Sequence, residues 1–399
     1  MLKKWVTIAL STILMLGVSP IMGSAEDADL APNAKSAVLM DMDTGTILYE
    51  KNSHEALPPA SITKVMTMLL LMEAIQEGKT SLNDTVRVSD YAASMGGSQI
   101  YLEAGEQMSV RDLLKGIAIA SGNDASVAVA EHVAGTEEAF VRLMNERAEE
   151  LGMKDTRFVN SNGLPSPDQK SSAHDIALMS RELLKYEEVT DFTKVYQDYL
   201  RQDSDEPFWL VNTNKLVKFY DGVDGLKTGF TSEAKFCLAA TAKRDDFRLI
   251  AVVMGEPNSK TRNAEVSRML DYAFNQYTNH VIVKNGAILG EVHVDKGETP
   301  SITVRAPQQI SILAKKGSKP EDYENEIVWQ KPLKAPIDVG DSIGEVRIKK
   351  RGDIVSTFPL TAAEAVPKAN LWKMTKRTVK KMLFISDKAQ DPEAEAGDN

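Results

Sequence analysis

The sequence predicts an α/β (α+β) chain followed by a smaller all-β region. Three observations carry that reading. Strand-like runs at 37–40 and 46–49 and again at 236–242 and 248–254 flank a long helical stretch. Short alternating runs recur after His280, separated by turn residues. No internal repeat and no repeating strand–helix–strand pattern is present. A length of 399 residues allows two or three domains.

Taken in chain order, the first segment is an address. Lys3 and Lys4 precede an apolar run from Trp5 to Val18, and Pro20 and Gly23-Ser24-Ala25 lead into Glu26-Asp27. This is the pattern of a secretory signal peptide cleaved after Ala25, so residues 1–25 are expected to be removed and the protein to act outside the cytoplasmic membrane. Residues 36–52 read as a hairpin turning at Asp43-Thr44-Gly45. That tripeptide also occurs in aspartic proteases, but their chemistry needs a second carboxylate and the chain has no second Asp-[Thr/Ser]-Gly.

The run Val65–Met72 is apolar almost all round, as in a helix buried in a core, and Gly78 suits its end. Further helices are expected at 110–120, 124–134, 137–151 and 173–185, the last capped by Ser172. A domain boundary falls near residue 280, dividing 26–280 from a β-sandwich over 281–365. Residues 371–385 set Leu371, Trp372, Met374, Val379, Met382, Leu383 and Ile385 on one half of a helical wheel. Lys373, Lys376, Arg377, Lys380 and Lys381 occupy the other. This predicts an interfacial helix for an anionic membrane surface within 366–385, with an acidic, disordered tail over 386–399.

Composition narrows the chemistry. A net charge of −10 argues against a nucleic-acid binder. One cysteine excludes an intramolecular disulfide framework and a multi-cysteine zinc site, and the five histidines show no ligand spacing, so neither metal nor cofactor is expected. There is no Gly-x-Ser-x-Gly and no His-Glu-x-x-His. Cys237 reads as a small buried hydrophobe.

Ser61-Ile62-Thr63-Lys64 is the candidate nucleophile and base. On a helix, i and i+3 share a face, and burial or a second cation lowers a lysine pKa enough for it to accept a proton. The competing reading makes Ser61 a helix cap and leaves Lys64 solvated. Ser121-Gly122-Asn123 reads either as a turn between helices or as a proton relay at Ser121 with Asn123 orienting Lys64 or the substrate amide. Lys227-Thr228-Gly229 occurs once, and there Lys227 and Thr228 would bind a carboxylate while Gly229 lets a ligand approach the backbone. Each motif is weak alone: Ser232–Lys235 repeats the first and Ser81–Asn83 the second. Their occurrence in this order is specific.

With these motifs, and the stretches 92–99, 116–125, 209–214 and 225–231, the chain resembles the low-molecular-mass penicillin-binding proteins of the D-alanyl-D-alanine carboxypeptidase family, in their sporulation-associated form from endospore-forming bacteria. The resemblance implies an antiparallel sheet flanked by helices, a β-rich spacer and a membrane anchor. It implies that Ser61 attacks the penultimate D-alanine of a peptidoglycan stem pentapeptide, that Lys64 is its base and that Ser121 returns the proton. Lys227 and Thr228, with Arg262 as a further candidate, would hold the terminal carboxylate. The oxyanion would sit between the backbone N–H groups of Ser61 and Phe230. β-Lactam antibiotics would acylate Ser61. A Glu-x-x-Leu-Asn motif for a deacylating water is absent between 130 and 185, which argues against a β-lactamase. A DD-endopeptidase, a transpeptidase and a non-catalytic wall-binding module are the alternatives.

Overall fold

A computed structural model describes residues 29–373, 375–377 and 379. The signal-peptide segment 1–25 and the tail 386–399 lie outside the described residues.

The chain begins with β1 (Ser36–Asp41) and β2 (Ile47–Lys51), the expected hairpin. A 3₁₀ turn, Ala60–Thr63, leads into α1 (Lys64–Gln76). Next come β3 (Thr85–Arg87), α2 (Asp90–Ala93), β4 (Gln107–Ser109), α3 (Val110–Lys115), α4 (Asn123–Ala134), α5 (Glu137–Glu150), α6 (Ala173–Leu183) and α7 (Val189–Thr193). Then follow β5 (Gln197–Leu200), β6 (Phe208–Val211), α8 (Leu216–Phe219), β7 (Val223–Thr231), β8 (Lys235–Arg244), β9 (Phe247–Glu256) and α9 (Ser259–Gln276). As expected, Ser172 caps α6 by accepting from the Asp175 amide. The hairpin β5–β6 and the helix α9 were not anticipated. The α9 sequence is polar on average, and its apolar face emerges only where it meets the sheet.

Strands β2-β1-β9-β8-β7 form one antiparallel sheet in that order. Both faces are covered, which is why its central strands are apolar throughout rather than alternating. Val38 and Met40, with Ile250, Val252 and Met254, face the core built on α1 and α6. Ala37 and Leu39, with Leu249, Ala251 and Val253, face the core under α9. Helix α1 lies inside the first core, with Val65 to Met72 buried on every side.

The remaining strands are β10 (Tyr277–Val283), β11 (Ile288–Asp295), β12 (Ser301–Arg305), β13 (Ile310–Lys315), β14 (Tyr323–Trp329), β15 (Leu333–Lys334), β16 (Ser342–Lys350) and β17 (Asp353–Thr361). They form sheets β10-β13, β12-β11-β15 and β14-β16-β17 around their own apolar core. The C-terminal helix starts later than the expected residue 366. Val366 is buried and pairs with Ile337, and the Ala369 amide donates to the Lys296 carbonyl, so this stretch belongs to the β-rich region. The described helical residues begin at Leu371.

The Asp43-Thr44-Gly45 turn joins the two regions. Asp43 Oδ2 accepts from Asn279 Nδ2 at 2.7 Å, Gln309 Nε2 at 2.8 Å and Ser311 Oγ at 2.8 Å. On the other side, the Arg181 guanidinium donates to the Met42 and Asp43 carbonyls. The carboxylate is a structural clamp, consistent with the turn reading. Asp43→Ala removes the acceptor shared by three donors, leaving the buried Ser311 hydroxyl without one while Asn279 keeps the Asp246 carbonyl and Gln309 the Ser311 oxygen, and should cost about 1–3 kcal/mol. We expect a lower melting temperature and faster proteolytic cleavage near residue 277; an unchanged pattern would show that the clamp does not hold the regions together.

Candidate active site

The 3₁₀ turn before α1 carries Ser61 and delivers Lys64 to the first position of the helix. Its geometry is forced by close packing. Gly163, at φ +85°, passes so near the turn that a Cβ there would lie 2.0 Å from the Ala60 carbonyl oxygen. A Cβ on Gly229 would meet the Pro59 carbonyl at 2.8 Å, so this glycine of the Lys-Thr-Gly motif lets β7 lie directly against the nucleophile turn.

Lys64 is fully buried. Its Nζ lies 3.2 Å from Ser61 Oγ and 2.7 Å from Asn123 Oδ1, and it also donates to the Asn162 carbonyl. All three partners are neutral. Burial, then the nearby Lys227 cation, pushes its pKa well below the usual lysine value, opposed only by the Asp124 charge. The solvated-lysine reading is thereby excluded.

The second motif is set by a strained turn. Residues Gly116–Ala120 extend α3 as a π-helical turn, and Ser121 then adopts φ +66°, a left-handed conformation unusual for serine. Its Oγ is buried and has no hydrogen-bond partner among the described residues. Such an orphaned hydroxyl beside the candidate nucleophile Ser61 points to a functional constraint. Asn123 begins α4 rather than capping it. Its Nδ2 donates to the Gly96 carbonyl at 2.7 Å, which turns Oδ1 toward Lys64. Asp124 accepts from the Ile100 and Leu102 amides and from its own neighbour Ala125, fastening the 96–102 loop over the site.

Lys227 is buried on β7, the edge strand of the sheet, and donates only to the Thr228 carbonyl among the described residues. Burial, with Arg262 nearby, lowers its pKa to about 7. Thr228 Oγ1 donates to Thr213 Oγ1 at 2.7 Å. Arg262, in the first turn of α9, is also buried. It is bonded to the Asn263 side chain, and burial lowers its pKa to about 10. Phe230 is largely exposed and packs on Phe236 with ring centroids 4.4 Å apart.

Ser61, Ser121, Thr228, Gly229, Phe230 and Arg262 line one cavity of about 490 Å³. Lys64, Asn123 and Lys227 lie buried behind it. The structure thus brings together all nine residues singled out in the sequence. The duplicate motifs go elsewhere: Ser232–Lys235 spans the β7–β8 turn, and Ser81–Asn83 lies in the loop before β3. Sequence reasoning missed Asp124, the Asn162 carbonyl and Thr213. Asp124 adjoins Asn123 and carried a readable signal, as a buried acid at a helix start; a backbone carbonyl carries none. Cys237 is fully buried opposite Gly229, and burial raises its thiol pKa to about 11.

A family model described as D-alanyl-D-alanine carboxypeptidase matches residues 23–258, and one described as penicillin-binding protein 5, C-terminal domain, matches 277–368. The chain is 50% identical to D-alanyl-D-alanine carboxypeptidase DacF of Bacillus subtilis strain 168, covering 95% of this chain and 98% of that one. It is 33% identical to DacD of Escherichia coli K12, covering 88% and 92%. Penicillin-binding protein 5 of Haemophilus influenzae superposes with a TM-score of 0.67 at 31% identity, covering 84% of this chain and 98% of that one. Penicillin-binding protein D2 of Listeria monocytogenes in its ampicillin-bound form does so with a TM-score of 0.52 at 30% identity, covering 61% and 98%. These matches show that the chain belongs to the Peptidase S11 family, D-alanyl-D-alanine carboxypeptidase, with an α/β domain followed by a β-rich C-terminal domain.

Proposed function

We propose that the protein is a penicillin-sensitive serine carboxypeptidase that removes the terminal D-alanine from peptidoglycan stem pentapeptides. The observation that carries this reading is the fully buried Lys64 amine, 3.2 Å from Ser61 Oγ and held by neutral partners. Family membership and the ampicillin-bound relative support it.

In this mechanism the stem lies extended along the free edge of β7, as an added strand would. Its terminal carboxylate is held by Lys227 and Thr228, with Arg262 adding positive field. Neutral Lys64 takes the Ser61 proton as Oγ bonds to the penultimate D-alanine carbonyl carbon. The resulting oxyanion is stabilised by the Ser61 and Phe230 backbone N–H groups. The C–N bond breaks as the proton held on Lys64 passes through the free Ser121 hydroxyl to the departing nitrogen, releasing D-alanine. Water, deprotonated by the again neutral Lys64, then hydrolyses the ester and frees Ser61. Asn123 orients Lys64 and donates to the substrate amide. A β-lactam enters the same first step, and its ring-opened acyl group stays on Ser61.

The protein would act at the outer face of the cytoplasmic membrane. Leu371 and Trp372 are 79% and 78% exposed, while Lys373 pairs with Glu298 and Arg377 donates to the Gly297 and Glu298 carbonyls. The helix therefore turns apolar residues away from the β-rich region, as an interfacial anchor would. Its expected extension beyond residue 379 lies outside the described residues.

Ser61→Ala should lower D-alanine release from a pentapeptide at least ~1000-fold and abolish the penicillin mass adduct. An intact pentapeptide after long incubation with wild type would sink the carboxypeptidase reading. The pH profile of kcat/KM should be bell-shaped. Its acid limb reports loss of the Lys64 proton. Its alkaline limb reports loss of the Lys227 charge, which is present below about pH 7 in the free enzyme and gone above it. Lys227→Arg keeps that charge and should move the alkaline limb upward; an unmoved limb would assign it to another group. Truncation after Asn370 should free the protein from membranes with turnover retained, and continued pelleting would refute the anchor.

A further inference from the structure

The β5–β6 hairpin has an outer face that the catalytic mechanism does not use. Side chains alternate across a strand, so Val211 and Trp209 share one face, opposite Gln197 and Tyr199 in the register. Val211 lines the catalytic cavity. Trp209 and Tyr199 lie one strand step, about 7 Å, further out and directly face each other. They are 55% and 45% exposed. Leu200 and Leu210 on the inner face are buried in the core. An aromatic surface thus continues the wall of the cavity outward.

This surface is held rigidly. Arg201 at the end of β5 forms two bonds to the Glu106 carboxylate and donates to the Ile100 and Tyr101 carbonyls. Asp198 pairs with Lys115 at 2.9 Å. The Tyr199 hydroxyl and the Trp209 indole N–H have no hydrogen-bond partner among the described residues.

We propose that this face, formed by Trp209 and Tyr199, is a docking shelf for the glycan backbone of a peptidoglycan strand. The inference rests on the peptidoglycan reading above and extends it from the stem peptide to the polymer. Pyranose rings present apolar C–H faces ringed by hydroxyls, which match aromatic faces carrying open O–H and N–H groups. The adjoining tip is acidic and exposed, with Asp203, Asp205 and Glu206, so a polyanion is disfavoured there, whereas a glycan backbone whose lactyl groups are amide-linked to stem peptides carries no charge of its own. Continuity with the cavity through Val211 places the sugar chain where peptides reach Ser61.

The test uses full-length protein and the exposed-site variants Trp209→Ala and Tyr199→Ala. The first measurement is binding to an uncharged β-1,4-linked N-acetylglucosamine oligosaccharide, which presents the same pyranose faces, by affinity electrophoresis. Wild type should bind, and each variant should lose about three- to tenfold in affinity. No binding by wild type, or equal binding by the variants, overturns the shelf. The second compares D-alanine release from a free pentapeptide and from the same peptide on polymeric glycan. The variants should raise KM on the polymer alone; an equal change on both substrates overturns the proposal. Wild type inactive on both would refute the carboxypeptidase reading, while the glycan-binding measurement would still decide the shelf.

Discussion

The site depends on one electrostatic constraint: two lysines, Lys64 and Lys227, are buried on adjoining elements, and among the described residues no carboxylate is bonded to either amine. A buried ammonium is costly, and a second one nearby adds to the cost. The two positions resolve this differently. Lys64 lies among the acceptors Asn123 Oδ1 and the Asn162 carbonyl, and burial drives it well below its ordinary pKa. Lys227 lies behind the cavity wall at a pKa of about 7, so an incoming carboxylate restores its full charge. In the proposed mechanism, base and anion receptor arise from one residue type because their surroundings differ.

Much of the scaffold maintains that burial. The α1 core is apolar on all sides, and its first residue, Lys64, is fully buried beside Ser61. Gly163 and Gly229 allow two other segments to press on the nucleophile turn. Asp124 holds the 96–102 loop in place by accepting its backbone amides, and Asn123 is fixed by the Gly96 carbonyl. The open valence is the Ser121 hydroxyl, kept in a left-handed turn where nothing local satisfies it. An enzyme that moves a proton needs such a group between its base and the leaving nitrogen.

The folding pattern and the chemical site were legible to different degrees. The hairpin at 36–51, the all-round apolar helix and the short strands after His280 each follow from local periodicity. Helix α9 did not show itself because its sequence is polar and its buried face, Val266, Met269, Leu270 and Ala273, is defined by the sheet beneath it. The start of the C-terminal helix was set too early because Val366 and Ala369 are claimed by β-region contacts that no local pattern reveals. The hairpin β5–β6 was invisible for a related reason: four-residue strands around an acidic tip carry too little alternation to register.

The order Ser61-x-x-Lys64, Ser121-x-Asn123 and Lys227-Thr228-Gly229 is enough to single out the candidate residues from the sequence. Taken one at a time, the first two motifs look the same as their duplicates at 232–235 and 81–83, since a motif read locally has the same composition in a loop as in a core. Only the tertiary structure decided that question. It buries Lys64, strains Ser121, and lays β7 against the Ser61 turn through the single missing Cβ of Gly229. Proton affinity is a property of surroundings, and the surroundings of Lys64 come from segments near residues 123, 162 and 227, brought together only by folding.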